Sequence, residues 1–153
     1  VTIPFQMSSA EFFREVQEHL ADDGVMVVNL NMYSSTEGSI DKYLCDTVAS
    51  VFEAVCVADR GTNRMVFASD DPAVFERFRE TYPKRDHVLT YVLSTVEDKL
   101  TAYERGNLIL TDDKAPVELL GMQVIDEMIA GELAYYKDIF RDMTLSEMLD
   151  YLQ

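Results

Sequence analysis

Four apolar residues in a row, Val25-Met26-Val27-Val28, follow directly on a helical stretch, and this junction constrains the fold more than any other feature of the chain. An apolar strand without polar alternation reads as one covered on both faces, as in a sheet with helices on either side. The preceding stretch places Phe12, Phe13, Val16 and Leu20 at helical spacing, and Ser8 with Glu11 has the spacing of a capping box. Asp22-Asp23-Gly24 reads as the stop, with Gly24 expected in the left-handed conformation. The strand closes on Asn29, Leu30 and Asn31. Polar groups at the carboxyl end of a strand stand where open α/β sheets bind ligands. One half-turn of a doubly wound sheet is therefore expected here.

Downstream, a polar loop containing Tyr33 leads to Ile40, Tyr43, Leu44, Thr47, Val48, Val51 and Phe52 on one helical face. Ala54–Ala58 and Met65–Ala68 read as two further strands joined by a turn through Gly61, an antiparallel hairpin. Asp71-Pro72 opens a helix that turns Val74, Phe75, Phe78 and Tyr82 inward before Pro83. The second half is helical. One helix carries Val88, Leu89, Val92, Val96 and Leu100. Another enters at Pro116, carries Leu120, Val124, Ile125 and Met128, and continues to Phe140 with a break or kink expected at Gly131. Thr144 and Glu147 have a second capping-box spacing. The fold class is α/β: about three strands, the last two an antiparallel hairpin, followed by several helices.

A formal charge of −15 opposes a nucleic-acid backbone or an anionic membrane surface as partner. It suits a cationic small molecule, although acidity bears first on solubility. Cys45 and Cys56 sit in apolar settings and read as buried free thiols of a reducing compartment, so a cytoplasmic location is expected. No run of about eighteen apolar residues offers a membrane span. His19 and His87 are isolated, and no metal site is expected.

With three strands in 153 residues, Val25–Leu30 has no upstream neighbour in the chain. It would present an apolar edge of the kind that native proteins cover, either with a partner chain or with preceding strands. The chain reads as the second half of something larger.

Ile3-Pro4-Phe5, Glu11-Phe12-Phe13, Leu20 to Asn29, Asn63 to Ala68, and Leu110-Thr111-Asp112-Asp113 followed by Ala115-Pro116-Val117-Glu118 carry a resemblance in their order and spacing. Together they resemble the carboxyl-terminal half of spermidine synthase-like proteins, a branch of the Rossmann-type S-adenosylmethionine-dependent methyltransferase superfamily. The resemblance assigns residues 1–128 to the carboxyl-terminal half of that domain and leaves 129–153 as a helical extension. It implies a Rossmann-like sheet ending in an antiparallel hairpin, and transfer of an aminopropyl or methyl group to a small amine. The donor would be decarboxylated S-adenosylmethionine or S-adenosylmethionine. Both transfers are in-line attacks on a carbon beside a sulfonium, which positioning and a deprotonated amine promote.

The family holds its cofactor on a glycine-rich turn after the first strand and an acidic residue ending the second. In this chain the six glycines are dispersed, and the acidic general base of the family falls upstream of Ile3. Gln6 stands where many relatives have histidine. The chain alone is therefore expected to bind no cofactor and to be inactive. Asn29 matches the polar residue that ends the fifth strand beside the substrate cleft. The candidate substrate-binding residues are Asn29, Asn31, Tyr33, Asp112 and Asp113. Each has a plainer alternative: the asparagines terminate the strand, and Thr111, Asp112 or Asp113 caps the helix entered at Pro116. The rival to a transferase is a non-catalytic, self-associating α/β module, a homodimer paired through the exposed first strand.

Overall fold

A computed structural model describes residues 4–31, 36–81, 87–141, 143, 144, 147 and 151. A 3-10 turn over Phe5–Met7 precedes α1 (Ala10–His19), which is followed by β1 (Met26–Asn31) and α2 (Ile40–Ala49). The hairpin β2 (Ala54–Arg60) and β3 (Asn63–Ser69) comes next, then α3 (Val74–Thr81), α4 (His87–Glu97), the two-residue β4 (Thr101–Ala102) and α5 (Val117–Phe140).

The described strands form one sheet in the order β1-β3-β2-β4, and every pairing is antiparallel. β3 pairs with β1 from Met26↔Ala68 to Asn31↔Asn63 and with β2 from Ala54↔Ser69 to Arg60↔Asn63. β1 and β2 therefore run parallel, with β3 inserted between them. A parallel pair needs a crossover rather than a tight turn, and α2 supplies it. β3 then returns through the turn at Gly61, whose φ of 60° is the left-handed geometry that glycine adopts without strain. The hairpin is as its sequence predicts.

The register sorts side chains onto two faces. Met26, Leu30, Val55, Val57, Val66 and Ala68 form the main core with Phe13 of α1, Leu44, Cys45 and Val48 of α2, Leu110, and Val117 and Leu120 at the start of α5. On the other face Phe67 meets Val74, Phe75 and Phe78 of α3 and Leu93 and Val96 of α4 around a space of about 250 Å³. An Arg79–Glu97 pair at 3.5 Å ties those two helices together. Val55 to Ala58 of β2 are buried on both faces, as a sheet between helical layers requires. Burial pushes both thiols up, Cys45 to about 12.

Four local readings are corrected. β1 is not covered on both faces: Met26 and Leu30 are buried, but Val27 is 50% exposed and Val25 lies outside the strand. The helix stop does not use a left-handed glycine. Gly24 is needed because a Cβ there would lie 2.9 Å from the Ala21 carbonyl oxygen. Gly131 causes no break, since α5 runs unbroken from Val117 to Phe140. The cap of α1 is Ser9, which accepts from the Phe12 N–H at 3.3 Å, while the Ser8 hydroxyl donates to the Phe5 carbonyl. Thr144 and Glu147 do make both bonds of a capping box. Tyr82 and Pro83, which follow α3, lie outside the described residues, as do most positions after Thr144.

The segment from Tyr103 to Leu110 is held to α2 by side chains instead of a ladder. Asp46 is fully buried and accepts from Lys42 Nζ (2.6 Å), the Tyr103 hydroxyl (2.7 Å) and the backbone N–H groups of Gly106 (2.9 Å) and Leu108 (3.0 Å). Thr47 next to it accepts from the Leu110 N–H at 2.9 Å. Burial opposes the Asp46 charge, but the bonds from Lys42, Tyr103, Leu108 and Gly106 outweigh it and hold the carboxyl below its ordinary range. A carboxylate whose folded-state value is depressed stabilises fully above its unfolded value and loses that contribution as pH falls toward the folded one. Asp46→Ala strands four donors and should cost about 3 kcal/mol in urea denaturation at pH 7. The gap between wild type and Asp46→Asn should narrow as pH drops below about 4. A gap that stays constant down to pH 2 would refute the charged hub.

Candidate functional site

The carboxyl end of β1 is the place to build from, because β1 is an edge strand: β3 pairs one side of it, and no described strand pairs the other. Asn29 and Asn31 are two residues apart, share the face of Val27, and are both exposed. The Asn29 amide donates to the Asn31 side-chain oxygen at 2.9 Å. The pair therefore presents a small polar platform with its remaining donors and acceptors toward solvent.

Beside it lies an apolar cavity of about 450 Å³. It takes in Val27 and Asn29 from one face of β1 and Met26, Val28 and Leu30 from the other, so it wraps the unpaired edge. Its far wall is Pro4, Met7 and the α1 residues Phe12, Phe13 and Val16. Phe12 and Phe13 meet edge to face at 5.3 Å. Asn29 is the one polar side chain in the lining. Helical periodicity marks Phe12 and Val16 as core. Their role as a cavity wall was hidden because helical periodicity does not show how α1 lies against the free edge of the strand.

Asp112 and Asp113 do not line this cavity. Asp112 accepts from the Ser9 hydroxyl, and its N–H donates to Glu11 at 3.1 Å. The Ala10 N–H reaches the Leu110 carbonyl at 2.9 Å, completing a clamp on the first turn of α1. Hydrogen bonds from its own N–H and from that of Asp112, with Arg14 alongside, hold the Glu11 carboxyl below the usual range against some burial. Capping of α5 by this segment is not what forms: the residue before α5 is Pro116, with no side-chain cap bond. Asp113 is exposed in the turn closed by Thr111 and Lys114. The structure thus brings Asn29 and Asn31 together at the end of β1, with Asn29 lining the cavity, and commits Asp112 to holding α1. Tyr33 lies outside the described residues.

A second charged group sits at the same end of the sheet. Arg64, paired in register with Leu30, makes a bidentate contact with Asp59 at 2.7 and 2.8 Å and reaches Asp41 at 3.6 Å. Arg64 holds the Asp59 carboxyl below its ordinary range. Its chemistry is that of an internal ion pair between α2 and the hairpin, and it points to no ligand.

The cavity does not fit a charged sulfonium nucleotide: twelve of its thirteen lining residues are apolar, and an unpaired cation there would be costly. It fits an apolar cover, and the free strand edge beside it offers backbone groups for pairing.

No family model matches the chain. It is 42% identical, over an alignment of 173 positions that takes in the whole chain, to a Bifidobacterium longum protein described as "Probable polyamine aminopropyl transferase". This chain is similar to one part of that protein. It spans 39% of the relative's length. The likeness supports the spermidine synthase-like resemblance and extends it past Met128, where the motifs alone gave none. None of the described helices is long and apolar enough to cross a membrane.

The two polar groups should separate in denaturation experiments. Asp112→Ala removes the Ser9 partner and loosens the cap of α1, which should cost about 1 kcal/mol. Asn29→Ala and Asn31→Ala remove exposed side chains and should change stability by less than about 0.5 kcal/mol. A larger loss at Asn29 than at Asp112 would reverse this division between an exposed polar pair and a structural clamp.

Proposed function

We propose that this chain is the carboxyl-terminal part of a spermidine synthase-like transferase that moves an aminopropyl or methyl group from decarboxylated S-adenosylmethionine or S-adenosylmethionine to a small amine. The observation that carries the reading is the 42% identity, over the whole chain, to the protein described as "Probable polyamine aminopropyl transferase", of which the chain spans 39%. In this reading residues 1–128 complete a Rossmann-like methyltransferase sheet and 129–153 extend it.

The free edge of β1 supports the same reading. An upstream strand paired there would satisfy the edge, close the 450 Å³ cavity with its own apolar side chains, and bring its carboxyl end beside Asn29. Asn29 and Asn31 are then the candidate contacts to the amine or nucleotide, through side-chain amides that both donate and accept. Tyr33 and Asp113 remain candidates of the same site. The cofactor-binding residues belong to the absent part, so the chain alone is inactive and no catalytic step is derived from its residues. The same free edge favours the second reading, a non-catalytic module that pairs β1 with β1 of another copy.

Calorimetric and thermal-shift titration decides between them. The 153-residue chain should give no saturable shift with S-adenosylmethionine, decarboxylated S-adenosylmethionine or methylthioadenosine. A polypeptide extended upstream to the length of the relative should give one, and should lose most of its transfer rate on Asn29→Ala while keeping its fold. A saturable shift with the short chain would overturn the proposal, and silence from the extended one would favour the module.

A further inference from the structure

The sheet face turned toward α3 and α4 carries a second cavity, of about 590 Å³, that shares no lining residue with the one beside β1. Strand alternation puts Ala58 and Arg60 of β2 on that face with Met65 and Phe67 of β3, because Ala58 pairs with Met65 and Arg60 with Asn63. The opposite wall is α4, through Tyr91, Val92, Thr95 and Val96. Lys99 joins the lining from the segment between α4 and β4. The sheet explains its place. β4 pairs with β2 at Cys56 and Val57, and the antiparallel course of the chain just before β4 carries Lys99 back beside the end of β2.

Two features distinguish this cavity from a packing gap. One is its continuity with the interior. Phe67 and Val96 also line the apolar hollow of about 250 Å³ between the sheet and helices α3 and α4, so a charged mouth adjoins a dry chamber. The wall is not closed over, since Tyr91 is 71% and Val92 51% exposed. The other feature is charge. Arg60 and Lys99 belong to a chain of net charge −15, yet neither side chain has an ion-pair or hydrogen-bond partner among the described residues. The acid in the lining, Asp59, is engaged by Arg64 through bonds of 2.7 and 2.8 Å. Both cations are therefore available to an anion.

We propose that this cavity binds a medium-chain fatty carboxylate, with its head group at Arg60 and Lys99 and its tail along Met65 and Phe67 into the hollow between α3 and α4. A guanidinium accepts both oxygens of a carboxylate in one plane, and an ammonium adds a point charge. Phe67 and Val96 stand where the two spaces meet, a passage that an unbranched chain can thread. Each methylene buried there adds roughly a factor of four in affinity. The negative charge of the whole chain is screened beyond about 10 Å at 0.1 M salt, so the two local cations decide the sign of ligand that binds. This site does not depend on the transferase reading.

Isothermal titration calorimetry of the 153-residue chain with decanoate, below its micelle-forming concentration, should show one saturable site. Octanoate should bind at least five-fold more weakly. Decanol and decyltrimethylammonium should each bind at least ten-fold more weakly than decanoate. The double variant Arg60→Ser, Lys99→Ser changes two exposed positions. It should weaken decanoate at least ten-fold, leaving decanol binding and the far-ultraviolet spectrum unchanged. Lys114→Ser, at an exposed cation outside the cavity, should alter nothing. No saturable heat up to millimolar decanoate would overturn the proposal. So would decanol binding as tightly as decanoate, or decanoate binding that survives the double variant. Acetate binding as tightly as decanoate would leave a surface anion site only and overturn the placement of the tail.

Discussion

The insertion of an antiparallel strand between two parallel ones is the constraint on which the rest of this structure depends. Because β3 occupies the place between β1 and β2, those strands pair with it and not with each other. The crossover through α2 then spans two strand positions, which lays α2 across the middle of the sheet. Its Leu44, Cys45 and Val48 can reach Val57, Val66 and Ala68 from there. The same insertion sends β1 to the edge. With β3 on one side of it and no described strand on the other, half of its outward backbone groups face the space beside α1.

The polar groups of the core follow from that layout. The stretch from Tyr103 to Asp112 has to travel from the β4 edge, over α2, to the start of α1, and it does so without a strand partner. Buried backbone donors along such a path need acceptors. Asp46 and Thr47, adjacent on the buried face of α2, provide them for Gly106, Leu108 and Leu110. Ser9 and Glu11 take over at Asp112. Gly106 is required there for space: a Cβ would collide with the Asp46 carboxylate. A buried aspartate that would otherwise destabilise the helix is in this setting the anchor of an irregular segment.

Much of this was legible in the sequence, and the rest was not for identifiable reasons. The hairpin was legible because Gly61 and the flanking apolar runs are local signals. The Thr144–Glu147 box was legible for the same reason. Ser8 and Ser9 are both plausible caps by spacing; the choice falls on Ser9 because the Ser8 hydroxyl is already engaged by the Phe5 carbonyl. The tie between Ser9 and Asp112 crosses 103 residues of sequence, so no window could have revealed it. Gly131 reads as a breaker, yet its cost of about 1 kcal/mol relative to alanine is small against the residues that continue the helix on both sides. Val25–Val28 reads as a strand covered twice, and only one face of β1 is covered among the described residues. The candidate site divides along the same line. The position of Asn29 and Asn31 at the end of β1 was legible because strand ends are recognisable, whereas the cavity beside Asn29 depends on how α1 lies against the strand.

That mismatch at β1 is itself informative. A strand evolves an unbroken apolar run when both faces are dry, since each exposed valine gains nothing from being apolar. Val27 at 50% exposure is a place where composition and surroundings disagree. The edge of β1 offers unpaired backbone and an irregular apolar hollow, which suits a strand carrying its own side chains into a cavity.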